Sequence, residues 1–387
     1  MSETILCRRC VMDTTDPMIH FDENGVCQYC HMHDKLEAEY PLDERGTAKL
    51  EALINQIKKD GRGKKYDCII GVSGGTDSTY QLLLARQYGL RPLVVHLDNG
   101  WNSEIAVQNI QKSTKILGFE LYTYVIDWEE FRDIQLSFLK ASTPDCEIPT
   151  DIAIQSILSR VASQEGVRYM INGHSFRTEG KVPLFWSYGD GKYIRAVQKK
   201  FGSKKIKSFP NYTMRHLIYY SFIRRIKQAR LLYYVPYDKS KVKEVLKLEL
   251  GWQDYGGHHY ESVYTRFYQG YILPRKFGID KRKRELSALI RSGLITKEKA
   301  LDILKNEPPL NPELAEKDRI YVIKKLGLTE KEFDDIMNEK PKTFLEYPNY
   351  LRTILKYRGI IRFFYRFISS TTPLILDKKI SIDKHHE

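Results

Sequence analysis

No stretch of the 387 residues approaches the roughly 20 consecutive apolar residues that a membrane-spanning helix needs. The nearest candidate, residues 359–368, is broken by Arg362 and Arg366, so a transmembrane reading is excluded. Residues 1–10 lack the basic-then-apolar pattern of a secretory signal, and a cytoplasmic location is expected. Cysteine is scarce. Of six in all, four form two tight pairs, which in an unexported protein argue for metal rather than disulfides. An acidic excess is also missing: 62 Lys and Arg stand against 49 Asp and Glu, a net charge of +13. That balance fits anionic partners such as nucleic acid, a membrane surface, nucleotides or acidic sugars, without choosing among them. With 42% hydrophobic residues there is ample core material, and the length suggests about two to three domains.

Four stretches differ in texture. Residues 1–34 are rich in Cys, Asp and His; residues 35–65 are charged, helical in pattern and end at Gly61-Arg62-Gly63, as a connector does. From residue 66 to 239 short apolar runs (66–72, 92–97, 119–126, 167–171 and 231–235) alternate with helical patterns (77–88, 104–117 and 150–164). Strands alternating with helices imply right-handed crossovers and a doubly wound parallel α/β sheet. Between the last two strands, residues 183–228 form an insertion carrying Lys199, Lys200, Lys204, Lys205 and Lys207, too long for an ordinary connection. Residues 240–387 read as mainly helical, with a capping box at Thr329 and Glu332 and glycines at 251, 278, 293 and 327 as punctuation; no internal repeat is visible.

Cys7, Cys10, Cys27 and Cys30 are spaced C-x2-C-x16-C-x2-C, which lets two knuckles present four thiolates tetrahedrally to a structural zinc ion. An iron-sulfur cluster is the rival occupant. His20, His31 and His33 lie nearby, but four thiolates complete the shell, so they read as surface residues. The metal would hold together a segment with little core of its own.

The run Val72-Ser73-Gly74-Gly75-Thr76-Asp77-Ser78 follows a buried strand and opens a helix. Its glycines permit positive φ and close backbone approach, so successive N–H groups can cradle a polyphosphate with help from the helix dipole and the serine hydroxyls. No G-x-x-x-x-G-K-[ST] is present, which excludes a Walker loop. The run resembles the S-G-G-x-D-S loop of the PP-loop ATP pyrophosphatases. That resemblance implies ATP and Mg²⁺, with Asp77 helping to hold the metal and acting in catalysis. In a doubly wound sheet ligands bind beyond the strand ends, which adds Asp98, Gly173 and His174 to the nucleotide-binding set. Gly173-His174 resembles an element found after the fourth strand in PP-loop enzymes. The acidic pair that often follows is replaced by Arg177, Thr178, Glu179 and Lys181, among which Glu179 is the catalytic candidate.

The resemblance narrows further. The cysteine module, the loop at 73–78, residues 98–101 and 172–180, Trp186-Ser187-Tyr188, and above all the stretch from Trp252 to Arg282 are similar to the N-acetyl sugar amidotransferases of bacterial surface-polysaccharide biosynthesis, WbpG- and PseA-like proteins. This implies conversion of an acetamido group on a nucleotide-linked sugar into an acetamidino group, in lipopolysaccharide O-antigen or related glycan assembly. An amide oxygen is a poor leaving group until adenylylation by ATP makes it one; ammonia then expels AMP. The enzyme's part would be positioning and charge stabilisation. Substrate candidates are Arg177, Thr178, Lys181, His258, His259, Arg266, Lys281 and Arg282.

Position 2 is Ser and no cysteine follows Cys146, so ammonia is expected from a separate glutaminase; the resemblance implies one with a cyclase-like barrel subunit. Cys146 itself reads as a small buried residue. The tail at 350–367 interleaves arginines with large apolar residues, which fits packing against its own domain or peripheral contact with a membrane. The alternative function is tRNA thiolation, since such enzymes also join a zinc module to a PP-loop, although Cys68 and Cys146 do not form the cysteine pair often used for sulfur handling.

Overall fold

The computed structural model describes residues 4–257, 259–365 and 376. Helices α1 (Gln28–Glu39) and α2 (Glu44–Asp60) lead to strand β1 (Cys68–Val72). There follow α3 (Thr76–Gln87), β2 (Pro92–Asp98), α4 (Glu104–Leu117), β3 (Glu120–Val125), α5 (Trp128–Ala141), α6 (Ile148–Gln164) and β4 (Tyr169–Ile171). The insertion supplies α7 (Gly191–Phe201) and α8 (Met214–Ile218), the latter continued by a π-helical turn over Tyr219–Ile223, before β5 (Lys227–Ala229). The remainder is helical: α9 (Lys239–Leu250), α10 (Val263–Phe267) with a π-helical extension over Tyr268–Phe277, α11 (Arg282–Arg291), α12 (Lys297–Asn306), α13 (Pro312–Leu326), α14 (Glu330–Asn338), α15 (Leu351–Lys356) and α16 (Arg358–Tyr365). None of the described helices is long and apolar enough to cross a membrane.

The five strands are parallel in the order β3-β2-β1-β4-β5. Because successive side chains point to opposite faces, neighbours in β1 enter different cores. Ile70 and Val72 pack with Leu82 of α3, Ile110 of α4 and Leu246 of α9, whereas Ile69 packs with Val95, Met170 and Ile157 of α6. Helices therefore cover both faces, and both faces of β1 must be apolar. Although α9 begins at the expected start of the C-terminal region, it belongs with the sheet. Likewise α1 runs through residue 34, so the cysteine module and the connector share a helix.

The expected fifth strand at 231–235 is displaced. The pairing strand is Lys227–Ala229, with Ala229 opposite Ile171, and Leu231–Tyr233 form a 3-10 turn whose side chains are buried. An apolar run reports burial rather than backbone conformation, which is why it read as a strand. The insertion is anchored. Tyr193, Ile194 and Val197 of α7 join the core of Phe131, Ile134 and Phe138 from α5. The lysine-bearing loop hangs on two α5 carboxylates: Asp133 accepts from the backbone N–H groups of Ser203 and Lys204, and Glu130 from those of Lys207, Ser208 and Phe209. At the C-terminal end, the capping box of Thr329 and Glu332 starts α14, Gly251, Gly278 and Gly327 end their helices at positive φ, and Gly293 follows α11 at positive φ as well. The helical tail is split at Tyr357 into α15 and α16; residues 366 and 367 lie outside the described residues.

Candidate functional site

The strand order reverses between β1 and β4, and the loops leaving the carboxyl ends of those two strands open the crevice where such sheets bind ligands. Gly74 sits there at φ +81°, and a Cβ on it would lie 2.3 Å from the carbonyl oxygen of Ala106. Only glycine fits. Ser78 Oγ accepts from the Ser73 N–H at 3.2 Å, Ser73 Oγ accepts from the Gly75 N–H at 3.3 Å, and the Tyr255 hydroxyl accepts from the Thr76 N–H at 3.2 Å. The turn is thus preformed, with its donors tied to hydroxyls. From the second loop Gly173 approaches so closely that a Cβ would meet Gln81 Nε2 at 3.0 Å and the Ser78 nitrogen at 3.5 Å.

Two cavities meet at this turn. One, of about 420 Å³, is lined by the loop residues, Asp77, His174, Lys239 and Tyr255. The other, of about 410 Å³, reaches inward past Val72 to Glu147, Asp151, Lys281 and Arg284. Ser73, Ser78, Gly173, Glu179, His259 and Glu261 line both, so the two form one continuous space.

Asp77 is held by Lys239, whose Nζ lies 3.0 Å from Oδ2, and by the Tyr237 hydroxyl. Lys239 comes from the first turn of α9 and brings a cation to a loop that has no lysine of its own. His174 bridges the Tyr233 hydroxyl at 3.1 Å and the Gly180 carbonyl at 3.1 Å. Burial, with Arg230 and Lys181 nearby, lowers its pKa to about 3, so the imidazole is neutral. His259, at φ 60°, lies 3.4 Å from Glu261; burial works against its charge, but Glu261 prevails and raises its pKa. Lys281 Nζ is 2.8 Å from Glu147, and despite burial that ammonium holds the Glu147 carboxyl low. Burial and the Glu147 charge push Asp151 up to about 6.

Of the expected site residues, Val72, Ser73, those at 75–78, Gly173, His174, Glu179, His259 and Lys281 line these cavities, while Gly74 turns the loop without lining either. Asp98 does not line either cavity; its carboxylate accepts from Gly100 N–H at 2.9 Å and closes its own turn. Arg177 is a strut rather than a substrate ligand: its guanidinium forks onto Glu37 of α1 at 2.9 and 2.8 Å and caps the carbonyls of Tyr233 and Tyr40. Arg266 forks onto Asp318 of α13 at 2.6 and 2.7 Å, and Arg282 onto Asp280 and the Glu307 carbonyl. Thr178 is buried and Lys181 is lowered to about 8 by burial and Arg230, and neither lines either of these two cavities. His258 lies outside the described residues. Lys239, Tyr255, Glu147, Asp151 and Glu261 were not among the expected residues. Glu147 and Asp151 come from the start of α6 and Lys239 from the start of α9, whereas Tyr255 and Glu261 lie between α9 and α10, inside the family-like stretch that begins at Trp252.

The four N-terminal thiols are fully buried, with all four sulfurs within 4.8 Å of one another. Their closest contacts are 3.7 Å (Cys10 to Cys27 and Cys27 to Cys30) and 3.9 Å (Cys7 to Cys30). Tetrahedral zinc with bonds of about 2.3 Å has ligand edges of about 3.8 Å, so the donor set fits. Arg291 of α11 donates to Cys10 Sγ at 3.5 Å, and Lys297 of α12 to the Cys7 carbonyl at 2.8 Å, which docks the module on the C-terminal helices. His20 and His31 are exposed, but His33 is not on the surface: it is buried edge to face against Phe176, because α1 turns that side toward the body. Cys146 is buried and pushed up to about 12 by that burial, which makes it a poor nucleophile.

A parallel sheet in this order with a serine-glycine turn at its switch point defines a PP-loop-type α/β protein with a cysteine cluster before the sheet and helices after it. More particularly, residues 261–358 match the family described as "LPS biosynthesis protein WbpG-like, C-terminal domain", which bears out the WbpG-like resemblance. The uncharacterized protein MJ1599 of Methanocaldococcus jannaschii is 27% identical over 324 residues, covering 81% of this chain and 97% of that protein. Among solved structures, the U34-tRNA thiolase NcsA from Methanococcus maripaludis with its [4Fe-4S] cluster is 15% identical, with 83% of this chain and 89% of that one covered at a TM-score of 0.33. The NH3-dependent NAD synthetase from Campylobacter jejuni is 12% identical, with 73% and 96% covered at a TM-score of 0.30.

Two measurements follow from these contacts. Elemental analysis of the purified chain is expected to find one metal ion per four-thiolate cluster, and a chelator that strips it is expected to lower the melting temperature, as is Cys10→Ser. For His174, the folded pKa lies below the unfolded one. Folded and unfolded states are both neutral above about pH 6.5, and stability is lost as pH falls below that value because only the unfolded state takes up the proton. Urea unfolding at pH 7 and pH 5 should therefore show a smaller acid-side loss in His174→Gln than in the parent, by at most about 2 kcal/mol.

Proposed function

We propose that this chain is an ATP-dependent amidotransferase that converts the acetamido group of a nucleotide-linked N-acetyl sugar to an acetamidino group, with ammonia delivered by a separate glutaminase. The observation that carries this reading is the continuous space at the switch point. A preformed anion-cradling turn with a cation from α9 opens into an inner chamber with both apolar and charged walls, large enough for a sugar. The WbpG-like segment supplies part of the chamber's wall, including Glu261, Gln269, Lys281 and Arg284.

In this reading Ser73, Gly74, Gly75, Thr76 and Ser78 grip the β- and γ-phosphates of ATP as the leaving group, and Lys239 neutralises their charge. Asp77 is a ligand for Mg²⁺ once phosphate draws Lys239 away from it; a hard cation with one or two carboxylates and substrate phosphates is the usual arrangement. In the inner chamber Glu147, Asp151 and Glu261 offer acceptors to sugar hydroxyls, while Lys281 and Arg284 offer donors to a carboxylate or phosphate. Glu179, at the seam of the two cavities, is placed to take the proton that ammonia sheds as it displaces AMP. No side-chain nucleophile is needed. Cys7, Cys10, Cys27 and Cys30 would hold a structural zinc ion that takes no part in the reaction, while Arg291 and Lys297 fasten their module to α11 and α12; sulfurs all within 4.8 Å of one another suit one ion better than a cubane cluster, which spreads its ligands over four irons.

The burial of Cys68 and Cys146, both with raised pKa values, weighs against the tRNA-thiolase alternative. Incubation with ATP, an ammonium salt and a nucleotide-linked N-acetyl sugar is expected to yield AMP and a product in which one oxygen has become NH, read by mass spectrometry. AMP release that requires RNA instead would favour thiolation, and no AMP with either would overturn both. Lys239→Gln is expected to lower turnover by about 100-fold. Gly74→Ala, which drives a Cβ into the Ala106 carbonyl, is expected to weaken ATP binding by about tenfold or more in calorimetric titration.

A further inference from the structure

The positive charge of the chain is concentrated. Residues 191–237 contain 12 Lys and Arg and no Asp or Glu, and residues 347–376 contain five and none. With those 17 set aside, 45 Lys and Arg face 49 Asp and Glu in the rest of the chain. The entire excess therefore resides in two segments that are distant in sequence.

The structure brings these segments together. Phe222, in the π-helical turn after α8, meets Phe364 of α16 edge to face with ring centroids 6.1 Å apart. On these two helical segments Ile218, Phe222, Ile223, Ile360, Phe363 and Phe364 are between 42% and 67% exposed. Single exposed apolar side chains need no explanation, but six large ones on two abutting helices do. Arg215, Arg224, Arg225, Lys356, Arg358 and Arg362 flank them, and neither segment offers a carboxylate in return. From the same stretch of chain His216 and Tyr220 line a cavity of about 730 Å³ with Arg160, Arg195, Lys199, Lys204, Lys205 and Lys207. Of those six cations only Lys204 has an ion-pair partner among the described residues, Glu129.

We propose that this face docks on an anionic lipid surface. The isoleucines and phenylalanines enter the boundary between headgroups and acyl chains, while the flanking cations meet lipid phosphates. The same charge would attract RNA, but isoleucine gives a base nothing to stack on, and exposed aliphatic side chains are what a bilayer rewards. This inference is independent of the amidotransferase reading: it concerns a face distinct from the cavities at the switch point.

The test is co-sedimentation of the full chain with vesicles of phosphatidylcholine alone and of phosphatidylcholine with phosphatidylglycerol, beside a binding assay with RNA. Binding only to the phosphatidylglycerol vesicles, weakened by salt, is expected. Ile223→Ser with Phe363→Ser should reduce the bound fraction about tenfold or more, since both remove exposed apolar surface. Lys356→Gln with Arg362→Gln should reduce it by about tenfold through charge alone. Melting curves of both variants, whose altered side chains are exposed, should match the parent. A parent chain that stays in the supernatant with anionic vesicles would overturn the proposal. So would undiminished binding in both double variants, or binding to RNA without binding to vesicles.

Discussion

The Gly74 turn is held from several directions at once. Its carbonyl accepts from the Trp252 indole at 3.0 Å and from the Asn109 amide at 3.4 Å, and its Cα lies against the Ala106 carbonyl. Asn109 also exchanges two hydrogen bonds with the backbone of Gln253, each 2.8 Å. The segment after α9 is thereby fastened to α4 and laid across the mouth of the turn, where Tyr255 and Glu261 reach the cavity. A positive φ and the absence of a Cβ are what permit this close packing. Without it the segment that carries Tyr255 and Glu261 would lose its tie to the turn, and the cavities would lose a wall.

The charged groups around the site divide into two kinds. Arg177 with Glu37, Arg266 with Asp318 and Arg282 with Asp280 are forked pairs between or within elements. They hold α1 to the body, α10 to α13 and the start of α11 in place. Lys239 with Asp77 and Lys281 with Glu147 are single ammonium-carboxylate contacts that line a cavity. An ammonium is a point charge on a flexible stem, so it can exchange its carboxylate for a ligand, whereas a forked arginine gives up two bonds at once. The distinction separates Arg177, Arg266 and Arg282, which are structural, from Lys239 and Lys281, which face the space along with Arg284 of α11.

Much of the architecture was legible beforehand. Four of the five strands and the helices between them follow from alternating apolar runs, because burial on both faces leaves parallel strands no polar alternative. The cysteine spacing gave the cluster of four buried thiols, and the serine-glycine run gave the turn. The misplaced fifth strand shows the limit of that logic, since Leu231 and Leu232 are buried in a 3-10 turn rather than in a ladder. Arg177, Arg266 and Arg282 show a second limit: a cation near a motif carries no mark of which carboxylate it will meet.

The amino-acid sequence by itself determined the local features: which residues form strands, where helices start, which loop turns on glycine and which thiols cluster. These depend on neighbours within a few residues, so they are written in spacing. Only the tertiary structure decided that Lys239 and Tyr237 would grip Asp77, that Glu147 and Lys281 would pair 134 residues apart, and that two acid-free segments would meet at Phe222 and Phe364. Such contacts depend on how elements pack, and packing is settled by the burial of whole faces rather than by any one residue's chemistry.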